Sequence, residues 1–106
     1  MASFVTVARI GEIPEGEGRA FTIDGVEIGV FNCGGTYYAT NNICSHAYAE
    51  LHEGYLDCDE HTIECPLHGS MFDLRTGQPR TLPATTPVEV YAVRVEGDEI
   101  QIGLPD

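Results

Sequence analysis

The chain has 106 residues and a formal net charge of −12, from 17 acidic residues against five basic ones, all of them arginine. That length fits one domain with a modest core and leaves no room for a second. The charge argues against nucleic acid or an anionic membrane surface as partner, because both reward clustered cations, and it fits a partner with a basic face found by long-range steering. Met1 to Ile10 lacks a positively charged start followed by an apolar run, and no long apolar stretch follows anywhere. A reducing cytoplasm is therefore expected, where the four cysteines, Cys33, Cys44, Cys58 and Cys65, are more often ligands than bridges.

Ser3 to Arg9 alternates as a first strand, with Phe4, Thr6 and Ala8 on one face. Ile10 to Gly18 is loop. Arg19 to Ile23 and Val26 to Phe31 flank Asp24-Gly25, a strong two-residue hairpin signal because both central positions need positive φ. Cys33-Gly34-Gly35 turns the chain into a strand over Thr36 to Thr40, which is rich in β-formers. From Asn41 to Pro83 the apolar runs are short and the turn residues frequent. Tyr48 to Leu51 is expected to make one helical turn. Gly54 to Leu56 and Thr62 to Glu64 are expected as short strands around an acidic tip, residues 57–61. Arg75 to Gln78 forms a turn, and Pro79, Pro83 and Pro87 stiffen the return path. Val88 to Glu96 alternates again, with Val88, Val90, Ala92 and Arg94 on one side, and Gly97-Asp98 turns it into a last strand from Glu99 to Leu104. The class is all-β with short strands and frequent turns.

Chemistry concentrates in two loops, Cys44-Ser45-His46 and Cys65-Pro66-Leu67-His68. Thiolate and imidazole together suit iron–sulfur or zinc centres. Each loop supplies one Cys and one His, so two facing loops could give both thiolates to one metal ion and both imidazoles to another. That is what a [2Fe–2S] cluster with mixed ligands requires. A Cys₂His₂ set also closes a tetrahedral zinc site, and sequence does not see the metal. Zinc fingers, however, usually place two like ligands in each knuckle. A zinc-stabilised interaction module stays open at this point.

The two loops, with Gly69-Ser70-Met71-Phe72-Asp73 after the second, resemble the Rieske family, and most closely the small ferredoxins of bacterial ring-hydroxylating dioxygenases. The resemblance covers essentially the whole chain. It implies a fold of three antiparallel sheets. It also implies a base of about residues 1–42 and 84–106, with a cluster-binding subdomain of about 43–83 inserted into it. The implied ligands of one [2Fe–2S] cluster are Cys44, His46, Cys65 and His68. His52 and His61 sit in no such motif and are expected at the surface, and Cys33 and Cys58 receive no role. High-potential Rieske proteins carry a disulfide between their ligand loops. The matching positions here are Ala49 and Leu67, so that bridge cannot form.

No Gly-rich dinucleotide motif and no convincing mononuclear-iron set accompanies the loops, so the chain is expected to carry electrons rather than catalyse. The implied partners are a flavin-dependent ferredoxin reductase and a terminal oxygenase. Docking is expected through the tip near His46 and His68, by a monomer that meets the two in turn. A stand-alone ferredoxin or small subunit of another redox system, such as nitrite reduction, is the alternative. Several features point to a low potential. Phe72 stands where high-potential relatives carry a Tyr hydroxyl, although Ser70 matches their serine. Glu50, Glu53, Asp57, Asp59, Glu60 and Glu64 lie between the ligand pairs. One carboxylate ~10 Å away at an effective dielectric of ~20 disfavours the added electron by ~1–2 kcal/mol before screening.

Overall fold

The computed structural model describes residues 3–45 and 48–104. Among these, nine strands form: β1 (Ser3–Arg9), β2 (Gly18–Ile23), β3 (Val26–Cys33), β4 (Thr36–Asn41), β5 (Leu56–Asp57), β6 (Thr62–Glu64), β7 (Met71–Asp73), β8 (Val90–Glu96) and β9 (Glu99–Leu104). All pairings are antiparallel. The larger sheet runs β1-β9-β8-β4-β3-β2, and the smaller runs β5-β6-β7. β8 meets β4 only at Tyr91–Ala39 and Val90–Thr40. The larger sheet is thus two three-stranded halves joined at that seam, and with the small sheet they make the three antiparallel sheets that the resemblance implies. No helix among the described residues is long and apolar enough to cross a membrane.

The β2–β3 hairpin forms where Asp24-Gly25 demands it, with φ of 51° and 79° at the two turn residues. β1 carries an irregularity between Thr6 and Ala8, so its simple alternation breaks at Val7. In β8 the half-buried face is Tyr91 and Val93, while Val90, Ala92 and Arg94 face outward. Arg94 covers the Phe4 ring at 4.0 Å from its centroid. The helical turn expected at Tyr48–Leu51 lies instead at Leu51–Glu53, because Glu50 is held extended in a bridge with Ile43.

Two cores result, and β3 serves both through its period-2 alternation. Ile28 and Val30 join Ala8, Ile13, Ala39, Ile100 and Ile102 in the base. Phe31 points the other way, into a second core with Leu51, Ile63, Phe72, Leu74, Cys44 and Cys65. A side chain at Gly18 would strike the Phe31 ring, 2.6 Å from a built Cβ, so this glycine keeps the second core closed. Cys44 and Cys65 therefore lie in the core on the opposite side of β3 from the base core.

Candidate metal centre

The first loop is a narrow excursion with zipped legs. Asn42 C=O accepts from Leu51 N–H at 2.6 Å, Ile43 bridges Glu50, and Cys44 N–H donates to Ala49 C=O at 2.9 Å. Cys44 is buried and Ser45 exposed. His46 lies outside the described residues.

The second loop leaves β6 at Cys65, which is fully buried, and closes on itself. Cys65 N–H donates to Ser70 C=O at 2.7 Å, and Gly69 N–H donates to Cys65 C=O at 3.0 Å. Gly69 has φ of 76°, a left-handed conformation that glycine adopts freely. Pro66, Leu67, His68 and Gly69 are all exposed. The structure thus brings Cys44 and Cys65 into one apolar core and leaves His68 at the surface.

A third segment, the proline-rich return path, ties both loops together. Ser45 Oγ donates to Thr86 C=O. Met71 N–H donates to Thr81 Oγ at 2.9 Å, and Ala84 N–H donates to the buried Ser70 Oγ at 3.0 Å. Having accepted that bond, the Ser70 hydroxyl keeps its own proton to give to an acceptor. Phe72 is fully buried and brings no hydroxyl.

Below the loops, Asp73 gathers charge-assisted bonds. Its carboxylate accepts from Arg80 at 2.7 Å, from Arg75 at 3.3 Å, and from the backbone N–H groups of Arg75 and Thr76. Burial pushes this carboxyl up, but Arg80, Arg75 and the two N–H donors outweigh it and hold Asp73 well below the usual carboxylate range. Arg80 also reaches Glu60 at 3.6 Å. The acidic stretch between the ligand loops, which holds no arginine of its own, therefore gains a partial counter-charge from the return path. On the opposite flank the Asn42 side chain donates to Glu27 at 3.0 Å. That bond, and then one from Glu50, hold the Glu27 carboxyl low, while Glu27 raises Glu50.

Two expectations need correction. His52 and His61 are half-buried rather than free at the surface: His52 packs against Asn42, and His61 meets the Tyr38 ring edge-on at 6.0 Å between centroids. Cys33 and Cys58, which had no role, form a disulfide with Cα atoms 5.3 Å apart. It joins the end of β3 in the base to the β5–β6 tip, and only the fold brings residues of that separation together.

Residues 3–92 match the model of the Rieske [2Fe-2S] domain. The chain belongs to the Rieske [2Fe-2S] domain family. It is 47% identical over 97 residues to the 3-phenylpropionate/cinnamic acid dioxygenase ferredoxin subunit of Escherichia coli (strain K12), covering 92% of this chain and 90% of that protein. Its structure matches the ferredoxin of carbazole 1,9a-dioxygenase from Nocardioides aromaticivorans IC177 with a TM-score of 0.91 and 43% identity, over 94% of this chain and 96% of that one. It also matches a chain in a complex of reduced oxygenase and oxidized ferredoxin in carbazole 1,9a-dioxygenase, with a TM-score of 0.85 and 33% identity, over 92% and 99%. A Rieske domain carries a [2Fe–2S] cluster, which sets the zinc reading aside. The donor chemistry fits: two buried thiols from adjacent loops suit iron–sulfur binding, and an exposed imidazole suits the solvent-facing side.

Proposed function

We propose that this Rieske domain is the ferredoxin of a ring-hydroxylating oxygenase system, carrying single electrons from a flavin-dependent reductase to the terminal oxygenase. The observation that carries the reading is the likeness to dioxygenase ferredoxin subunits along nine-tenths of both chains. Cys44 and Cys65 hold one iron, and His46 and His68 hold the other. When bound, the cluster supplies one-electron uptake and release. The chain's own part is to bury the thiolates, to present His68 outward and to support both loops from the return path. We further divide the single domain into a base of about 1–42 and 84–106 and a cluster-binding subdomain of about 43–83, and place the protein in the cytoplasm, a compartment in which a bridge such as Cys33–Cys58 is uncommon.

Docking through the tip suits the apolar side chains there. Tyr48, Leu67 and Leu82 are 82, 61 and 77% exposed, one on each of the three loops. The acidic surface around them suits a basic partner face. A monomer meets reductase and oxygenase in turn. A low potential follows from Ala49 and Leu67 in place of a cross-link, from Phe72 without a hydroxyl, and from the acids between the loops, with Glu60 partly offset by Arg80. Rieske centres span about −150 to +300 mV, and this one belongs at the lower end.

The test is stopped-flow transfer with a ferredoxin reductase of this class and a ring-hydroxylating oxygenase. Rapid reduction by the first and rapid reoxidation by the second are expected. A protein that the reductase cannot reduce, or that reduces no oxygenase, would contradict the assignment.

A further inference from the structure

Asn42 sits immediately after β4, two residues before Cys44, with none of its surface exposed. Its main chain joins both neighbours: its N–H donates to Glu27 C=O at 2.9 Å, and its C=O accepts from Leu51 N–H at 2.6 Å. Its side chain uses every polar group. Oδ1 accepts from the His52 backbone N–H at 2.9 Å, while Nδ2 lies 3.0 Å from the Glu27 carboxylate and 2.8 Å from His52 Nδ1. A backbone N–H can only donate, so the amide orientation is settled by the first of these bonds. Nδ2 then donates twice, and His52 Nδ1 must accept, which places the ring proton of the neutral imidazole on Nε2.

The surroundings are shaped for this amide. A Cβ built on Gly29 would lie 2.7 Å from Asn42 Oδ1, so the glycine in β3 is the space that the side chain occupies. From the knot the zipped legs run directly to the ligand loop: Asn42 with Leu51, Ile43 with Glu50, Cys44 with Ala49. The knot thus joins three pieces of chain, the start of β3 and both roots of the first loop, through one buried amide.

We propose that Asn42 is the positioning residue of the first ligand loop, with His52 as its acceptor and Gly29 as its clearance, and that it sets where Cys44 meets the iron. The proposal rests on Cys44 being a ligand. Asn42 touches no metal; it acts by fixing the two legs against each other and against the base. Groups hydrogen-bonded directly to a metal ligand are commonly worth about 10–100-fold in metal affinity. Asn42 acts one step further back, through the backbone of the two legs, so its effect at the cluster is expected at the low end of that range.

The experiment compares the dithionite-reduced EPR spectrum and the rate of cluster loss in buffer for wild-type holoprotein and for Asn42→Ala, His52→Ala, Cys44→Ser and Ile100→Val. Ile100 lies in the base core, away from the ligand loops, and serves as a control for lost stability alone. Asn42→Ala is expected to shift the g values and to shed its cluster about tenfold faster. His52→Ala should move both readouts in the same direction by less, and Ile100→Val should lower the melting temperature with the spectrum unchanged. Wild-type g values and cluster lifetime in Asn42→Ala would overturn the proposal. Should that variant fail to fold, His52→Ala decides on the same readouts. A Cys44→Ser protein with a wild-type spectrum would instead overturn the ligand assignment. If Cys44→Ser loses the spectrum while Asn42→Ala and His52→Ala keep it, only the positioning role fails.

Discussion

Asp73 holds together the turn beneath the second loop, and its charge is the feature that matters. Asp73→Asn keeps the shape but loses the charge-assisted bonds to Arg80 and Arg75. Urea unfolding at neutral pH should show a loss of about 2–3 kcal/mol, the scale for hydrogen bonds to charged groups. The pH dependence has a definite sign. The folded carboxyl titrates well below its unfolded value, so its contribution is complete above an unfolded pKa of about 3.9 and is lost as pH falls toward the folded one. The gap between wild type and Asp73→Asn should therefore narrow below about pH 4, and a gap that stayed constant would contradict the assignment. Phe72 offers a second residue-scale test. Phe72→Tyr places a hydroxyl in the core that holds Cys44 and Cys65. If it donates to a cluster sulfur, one net hydrogen bond of about 0.5–1.5 kcal/mol raises a one-electron potential by about 20–60 mV. An unchanged or lower potential in a redox titration would show that Phe72 is not what keeps the potential low. Residues such as Asp24-Gly25 were legible because their geometry is local. Asn42 and Gly29 were not, because an Asn after a strand and a Gly within one carry no signal until the fold lays them side by side.

Among the elements, the Cys33–Cys58 bridge ties the base to the β5–β6 tip and encloses the whole first ligand loop in one covalent ring. Thiol titration of the denatured, cluster-free protein should find about half of the cysteines reactive without a reductant and all of them after one. Full reactivity at the start would show the bridge absent. Replacing both cysteines with serine should cost about 3 kcal/mol of stability, the chain-entropy value for a loop of this order. Sequence spacing could not reveal this pair, since neither cysteine stands in a motif and its partner lies 25 residues away. The helical turn was misplaced for a related reason. Tyr48 to Leu51 has local helical character, but the Ile43–Glu50 bridge holds the chain extended until the turn begins at Leu51. In β8 the alternation was legible but not which face was inward; its seam with β4 at Tyr91–Ala39 decides that. The two Cys/His loops stand out in the sequence as motifs because metal chemistry imposes its residues at short spacing, and of their four proposed ligands the structure describes Cys44, Cys65 and His68.

Across the whole molecule, a charge of −12 without a single lysine makes encounter with a basic partner sensitive to salt. Screening shortens from about 30 Å at 0.01 M to about 8 Å at physiological ionic strength. The bimolecular rate of reduction by the proposed reductase should fall by about tenfold or more over that range. A rate independent of salt would place docking on the apolar tip alone. Everything else depends on the cluster and the four residues proposed to hold it. The deciding measurement is the EPR spectrum of the anaerobic, dithionite-reduced protein beside that of His68→Ala, with iron and acid-labile sulfide assayed on the same samples. Wild type should give a rhombic signal averaging below the free-electron g value, with about two irons and two sulfides per chain, and His68→Ala should lose it. An intact Rieske signal in His68→Ala, or a silent wild-type protein holding zinc, would contradict the assignment.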